Sequence, residues 1–263
     1  MYAFTYERPT SLDDALKVLQ SGGQALAGGQ TMLAAMKQRL MQPEKLIDLA
    51  SITDLRGIKK EGQHIVIGAM TSHQDVSFNK DVIQSIPSLA HLASGIGDRQ
   101  VRARGTLGGS VANNDPAACY PSAVLALNAT IQTNQRTIAA DAFFKGMYAT
   151  ALNEGELITS IRFPIPKRAA YAKFRQPASR FALVGVFVAD TGTGVRVAIT
   201  GAGNGVFRHA GLEAALTKNF SPKATEGITI SSADLNSDIH ASAVYRAHLI
   251  QIQTQRAVTQ ALG

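Results

Sequence analysis

With 263 residues, 45% of them hydrophobic and 17% charged, the chain can bury a substantial core and divide into two or three subdomains. Its single cysteine, Cys119, excludes an internal disulfide framework and any cysteine-ligated zinc or iron–sulfur site within the chain. The net charge of +7 points to anionic partners, but scattered basic residues, 6% aromatic content and no tryptophan argue against nucleic acid. A phosphate-bearing cofactor or a docking surface for another subunit uses that charge better. No charged segment leads into an apolar one at the N-terminus, and no apolar run approaches the roughly 18 residues of a membrane helix. A cytoplasmic protein without membrane insertion is expected.

In chain order, Ser11 is placed to cap a helix through Gln20, with Asp14 three residues on. Leu12, Ala15, Leu16 and Leu19 share one face, and Gly22-Gly23 stops the helix. A short strand over 24–27 then enters a glycine turn, Ala27-Gly28-Gly29-Gln30-Thr31. It runs directly into an amphipathic helix over 32–40 that carries Met32, Leu33, Met36 and Leu40 and ends before Pro43. Strands are predicted over 45–49 and 64–69 around a turn at Gly57. Pro87 suits the first turn of a helix over 88–96.

The stretch from Gly97 to Leu127 organises the chain. Arg99, Arg102 and Arg104 precede a second glycine turn, Gly105-Thr106-Leu107-Gly108-Gly109-Ser110, and an apolar run over 123–127 reads as a core helix. Glycines there let the backbone curl into an anion nest, and a following helix N-terminus adds positive partial charge. Two such turns feeding two helices suit a ligand with two adjacent phosphates. Neither is a Walker A loop and neither is GxGxxG. Strands over 129–133 and 137–139, a short helix over 141–144 and a strand over 156–163 follow. Pro164 and Pro166 mark a boundary. Beyond it, strands over 181–189 and 195–200 flank the hairpin Thr191-Gly192-Thr193-Gly194, and helices are expected over 208–218 and 240–262. On the last helix Val244, Ala247, Ile250, Thr254, Ala257 and Ala261 recur at helical spacing. Gly201-Ala202-Gly203-Asn204-Gly205 imitates a dinucleotide turn but follows a hairpin, which favours a simple hairpin exit. No hydrolytic constellation and no metal set stands out, and no catalytic side chain is assigned. Histidines such as His73 and His91 are isolated, and Cys119 reads first as a small packing residue.

The strings LAGGQTMLAAMKQRL and IGDRQVRARGTLGGSVANNDPAACYPSAVLALNA, with GELITSIRFP, AYAKF, FALVGV, TGAG and DIHASAVYRAHL in the same order, carry a resemblance across nearly the whole chain. They resemble the flavin-carrying medium subunit of the molybdenum hydroxylases, the carbon monoxide dehydrogenase and xanthine dehydrogenase family. The resemblance implies an α+β fold with FAD-binding subdomains over 1–55 and 56–166. A C-terminal domain over 167–263 would hold a small antiparallel sheet and helices. Non-covalent FAD would pass electrons to an external acceptor. Molybdopterin would sit on a large partner subunit and 2Fe–2S clusters on a small one, in a dimer of heterotrimers. The lone cysteine agrees with that division.

Carried over residue by residue, Ala27, Gly28, Gly29, Gln30 and Thr31, with Leu33 behind them, match the first pyrophosphate turn. Thr106, Leu107, Gly108, Gly109 and Ser110 match the second. Asn113 and Asp115 lie where polar groups reach the phosphates or the ribityl chain. Ile96 and Gly97 fall near the flavin–adenine path, Leu157 and Ile158 near the adenine, and Lys173 near the dinucleotide. Phe181 holds the position of a residue covering the isoalloxazine. The family often has an acid where Cys119 stands and a tyrosine where Phe181 stands. Cys119 at a ribityl contact would remove a negative charge and raise the flavin potential. A stand-alone flavin oxidoreductase, a nicotinamide-nucleotide module using Gly201–Gly205 and a scaffold without FAD remain as alternatives. A visible spectrum separates the flavoproteins from the others.

Overall fold

Short apolar runs separated by two helices build the first layer. A computed structural model describes all of residues 1–263. Strand β1 (Thr5–Glu7), helix α1 (Leu12–Gln20), β2 (Gln24–Leu26), α2 (Met32–Lys37) and β3 (Lys45–Asp48) form a parallel three-stranded sheet in the order β1-β3-β2. Ser11 caps α1 through the Asp14 N–H, as expected. Helix α2 is shorter than predicted: Arg39 turns left-handed at φ 60, and Leu40 is 77% exposed instead of lying on the buried face.

The second layer is an antiparallel sheet. Strands β4 (Ile58–Glu61) and β5 (His64–Gly68) are followed by six short helices: α3 (His73–Phe78), α4 (Lys80–Ser85), α5 (Pro87–Ser94), α6 (Arg99–Arg104), α7 (Leu107–Asn113) and α8 (Tyr120–Ala126). Then come β6 (Thr130–Thr133), β7 (Thr137–Ala139), α9 (Ala140–Phe143), the hairpin β8 (Phe144–Gly146) with β9 (Ala149–Thr150), and β10 (Ile158–Pro164). The sheet order is β4-β5-β10-β6-β7, so β10 returns between two hairpins. Three of the helices, α3, α4 and α6, have no counterpart among the predicted elements. They are about two turns long or less, too short to show a period.

The third layer holds β11 (Arg168–Arg175), β12 (Ala182–Asp190), β13 (Val195–Thr200), β14 (Phe207–Arg208), α10 (Ala210–Lys218) and α11 (Ala243–Leu262). Its sheet runs β11-β12-β13-β14, antiparallel, with the predicted turn closed by Thr191 N–H donating to Gly194 O. Strand β12 shows how the layers join. Val184, Val186 and Val188 pack on α11, whereas Phe187 and Ala189 enter the 31-residue core beneath the five-stranded sheet. Alternate residues face opposite sides of a strand, so β12 is covered on both. On α11 the buried stripe is Arg246, Leu249, Ile250, Gln253, Thr254, Ala257 and Val258. Val244, predicted on that stripe, is 70% exposed, because buried Arg246 takes the place at the first turn and donates to the carbonyls of Leu183 and Gly201. Gly201–Gly205 lies in the connection between antiparallel β13 and β14 and does not open a strand–helix unit. No helix is long and apolar enough to cross a membrane.

Candidate cofactor site

The first glycine segment keeps its amides free. Between β2 and α2 the chain turns on Gly29, at φ +72, and enters the helix through Thr31, whose side chain makes no capping bond. The Gln30 side chain donates to Gly28 O at 3.2 Å. The N–H groups of Gly28, Gly29, Gln30, Thr31 and Met32 donate to nothing in the chain, and the first amide engaged is that of Leu33, on Gly29 O. Consecutive unspent amides running into a helix N-terminus make a concave positive surface for an anion. Leu33 backs this turn: a Cβ on Gly29 would lie 2.8 Å from its Cδ1.

The second segment is built differently. It was expected as a turn feeding a helix, but it is the first turn of α7 itself. Thr106, extended at φ −119, caps that helix by accepting the Gly109 N–H at 3.2 Å. Leu107 donates to Thr71 O, Gly108 to Ala69 O at 2.8 Å, and Ser110 to Thr106 O. These amides are consumed, so the segment offers no nest. Gly108 is there for packing, since its Cβ would lie 2.5 Å from that of Ala69. What remains available is the hydroxyl of Ser110 and the amide of Asn113, three residues apart on one face of α7, half-buried and without internal partners.

The two segments touch. A Cβ on Gly28 would strike the Arg104 carbonyl and lie 2.8 Å from the Gly105 Cα, and one on Gly109 would lie 3.1 Å from that of Ala27. Leu157 and Ala27 pack on one small cluster around Ile47, Leu49 and Met70, which brings the 157–158 segment to the same edge. Just before it, Glu156 accepts two bonds from Arg136, both at 3.0 Å, and one from Thr133 at 2.7 Å. Bonding to Arg136, with help from the Asn153 amide and Thr133, holds its carboxyl down to about 2 against burial. Ile158 itself is committed to the large core.

The remaining positions gather around α5 and β11. Ile96 packs against the core and Gly97 is left-handed at φ +49. Lys173, half-buried, donates to Gly95 O at 3.1 Å and to the buried Cys119 Sγ at 3.3 Å. Beside that sulfur lies Tyr171, fully buried, whose hydroxyl has no partner and whose pKa burial pushes well up. Cys119 is thus both a core residue and the acceptor for a lysine. Asp115 accepts the Ala117 N–H at 2.8 Å and the Tyr148 hydroxyl at 3.4 Å. Phe181 is 48% exposed on the loop joining β11 to β12.

Two supports were not predicted. Asn114, fully buried and left-handed at φ 46, donates to the carbonyls of Gly146 and Ala149 and so fixes the β8–β9 hairpin that carries Tyr148. An asparagine ending a helix is the one cue the sequence held for it. His73 underlies the second segment: a Cβ on Gly105 would lie 2.5 Å from its Nε2, and its Nδ1 has no partner. Burial, reinforced by the Arg102 charge, lowers its pKa to about 4, so it is neutral.

Residues 2–166 match the profile of the FAD binding domain in molybdopterin dehydrogenase. The chain is 35% identical to the carbon monoxide dehydrogenase medium chain of Hydrogenophaga pseudoflava, over 98% of this chain and 96% of that one. It is 34% identical to the nicotine 6-hydroxylase medium subunit of Paenarthrobacter nicotinovorans, over 98% and 97%. Its fold superposes on a chain of the Hydrogenophaga pseudoflava carbon monoxide dehydrogenase structure with a TM-score of 0.90 at 34% identity, covering 99% of this chain and 98% of that chain. The chain therefore belongs to the family of FAD-binding domains of the molybdopterin dehydrogenases, as an FAD-binding oxidoreductase subunit of the medium-chain type.

Proposed function

We propose that this chain takes electrons from 2Fe–2S clusters on a small partner subunit and passes them to an external acceptor. Molybdopterin on a large subunit would oxidise the substrate, in a cytoplasmic dimer of heterotrimers. The observation that carries the reading is the row of five unspent amides, Gly28 to Met32, set against the second glycine segment. Such a donor set fits a pyrophosphate, and it fits FAD better than the single phosphate of FMN.

In this reading FAD supplies the redox chemistry, and the protein supplies position and electrostatics. The Gly28–Met32 amides hold the phosphates, with Ser110 and Asn113 adding a hydroxyl and a side-chain amide from α7. Asp115, steadied by Tyr148, accepts from sugar-chain hydroxyls. Leu157 shields the adenine end, with the Ile158 backbone beside it. Ile96 and Gly97 line the path toward the flavin, where Lys173 places a positive charge and Phe181 excludes water. In this reading the units are 1–55, 56–166 and 167–263, each holding one of the three larger sheets, with the cofactor between the first two.

The test is the purified full-length subunit. It should carry flavin bands in the visible spectrum, release all of its flavin on acid denaturation, and yield FAD by mass spectrometry. It should show little substrate oxidation alone. A colourless protein that does not take up FAD, or robust turnover of an organic substrate without partner subunits, would overturn the reading.

A further inference from the structure

Five cations, Arg99, Arg102, Lys173, Arg175 and Arg180, gather around the loop from α5 to α6 and the β11–β12 hairpin facing it. Lys173 donates to Gly95 O, Arg102 to the carbonyls of Ile96 and Gly97 at 3.0 and 3.1 Å, and Arg180 to Gly97 O at 3.5 Å. The Arg175 guanidinium lies 3.3 Å from where a Cβ on Gly95 would stand. Arg99 precedes Arg102 by one turn on α6. None of the five forms a salt bridge. The neighbouring acid, Asp98, is engaged in capping α6 through the Val101 N–H. Asp98 keeps its negative charge while capping, and it is the sole acid in residues 95–104 and 173–181, so the loop and hairpin carry a positive excess.

We propose that this surplus is the docking surface for a soluble, acidic one-electron carrier protein, which serves as the external acceptor. The inference rests on the flavin reading above. Permanent subunit interfaces are large and apolar, whereas redox encounters are small and charged. Here three exposed arginines, Arg99, Arg175 and Arg180, stand with one exposed aromatic, Phe181. Another face of the molecule provides the contrast. Tyr2, Phe4 and Leu40 are exposed near the N-terminal sheet, with Arg39 stacked over the Tyr2 ring, a composition suited to permanent contact. Charge concentrated at the electron exit speeds encounter with a partner of opposite sign. Each two-electron turnover reduces two equivalents of carrier and releases two protons to solvent.

The experiment uses the purified complex with its native subunits, an acidic rubredoxin as probe and a basic cytochrome c as control. Association rates come from stopped flow and binding from chemical-shift titration. Rubredoxin should bind, with a rate falling at least about tenfold between about 20 and about 200 mM salt, and cytochrome c should not. Arg99→Glu combined with Arg175→Glu should slow association about tenfold at low salt with full flavin content. If the reversals do not fold, Arg99→Gln with Arg175→Gln should give a smaller slowing in the same direction. Equal binding of both carriers, insensitivity to salt, or an unchanged rate in the folded variants would overturn the proposal. Loss of FAD from the variants would also overturn it, by assigning these cations to the cofactor. A wild-type complex without FAD would instead sink the underlying flavin reading.

Discussion

The two glycine segments look alike in sequence and differ in how their amides are used. Gly28 to Met32 hold five N–H groups with no partner, while Leu107 to Ser110 spend theirs on Thr71, Ala69 and Thr106. The first segment has no preceding hydroxyl in a capping position, because Thr31 is already helical. The second has Thr106 extended and correctly placed. The threonine conformation, together with the distant carbonyls of Thr71 and Ala69, therefore separates an anion nest from a structural buttress. The glycines differ accordingly: Gly29 supplies a left-handed turn, whereas Gly108 and Gly109 supply thinness against Ala69 and Ala27.

The sharpest way to break this contrast is at the junction. Gly28→Val places a Cβ against the Arg104 carbonyl and the Gly105 Cα, both backbone atoms that yield only if the two segments part. A cost of about 3 kcal/mol is expected, with a fall in Tm of roughly 6–12 °C and loss of FAD from the purified subunit. Gly109→Ala meets the Thr106 hydroxyl at 2.8 Å and a methyl at 3.1 Å, so it should cost about 1 kcal/mol and only weaken FAD binding. Equal flavin loss in both variants would show that amide availability does not distinguish the segments.

Acid should act on the buttress through His73. Its pKa is lowered from 6.5 to about 4, so between those values the unfolded chain takes up a proton that the native one refuses. The contribution is complete above pH 6.5 and is lost as pH falls through about 4, to a limit on the order of 3 kcal/mol. Urea unfolding at a series of pH values reads this slope, and His73→Leu should flatten it over that window. The same slope in wild type and variant would place the acid sensitivity elsewhere.

Much of the fold was legible where periods were long or caps explicit. Ser11, the Thr191–Gly194 hairpin and the apolar run over 181–189 gave elements that the structure contains. Helices α3, α4 and α6 were not, because six residues hold too little of a 3.6-residue period to stand out. In the site, the two segments could be found from their glycines. Their contact at Gly28 depends on the Arg104 carbonyl, and the consumption of the second segment's amides on the carbonyls of Ala69 and Thr71, each more than 30 residues away in sequence. His73 and Asn114 were invisible for the same reason: each matters through distant backbone that no local pattern reveals.

The smallest predicted effect concerns Cys119, which shares Lys173 with the Gly95 carbonyl. A thiol is a weak acceptor and leaves the lysine charge in place. Cys119→Asp would pair with that ammonium and bring the local charge from positive to neutral, and the lysine would offset the cost of burying the carboxylate. A positive charge near a flavin favours its reduced, more negative state, so neutralising it should lower the reduction potential. The expected shift is tens of millivolts, with 30 mV equivalent to about 1.4 kcal/mol for a two-electron couple. FAD should stay bound. Lys173→Met removes the same charge by another route and should move the potential in the same direction, which separates electrostatics from any distortion by the new carboxylate. Spectroelectrochemical titration of both variants measures the shift. If the potential holds in both, Lys173 and Cys119 lie away from the flavin, and their contact serves only to tie β11 to the start of α8. If Cys119→Asp alone sheds FAD, the site is shaped around sulfur and rejects the carboxylate.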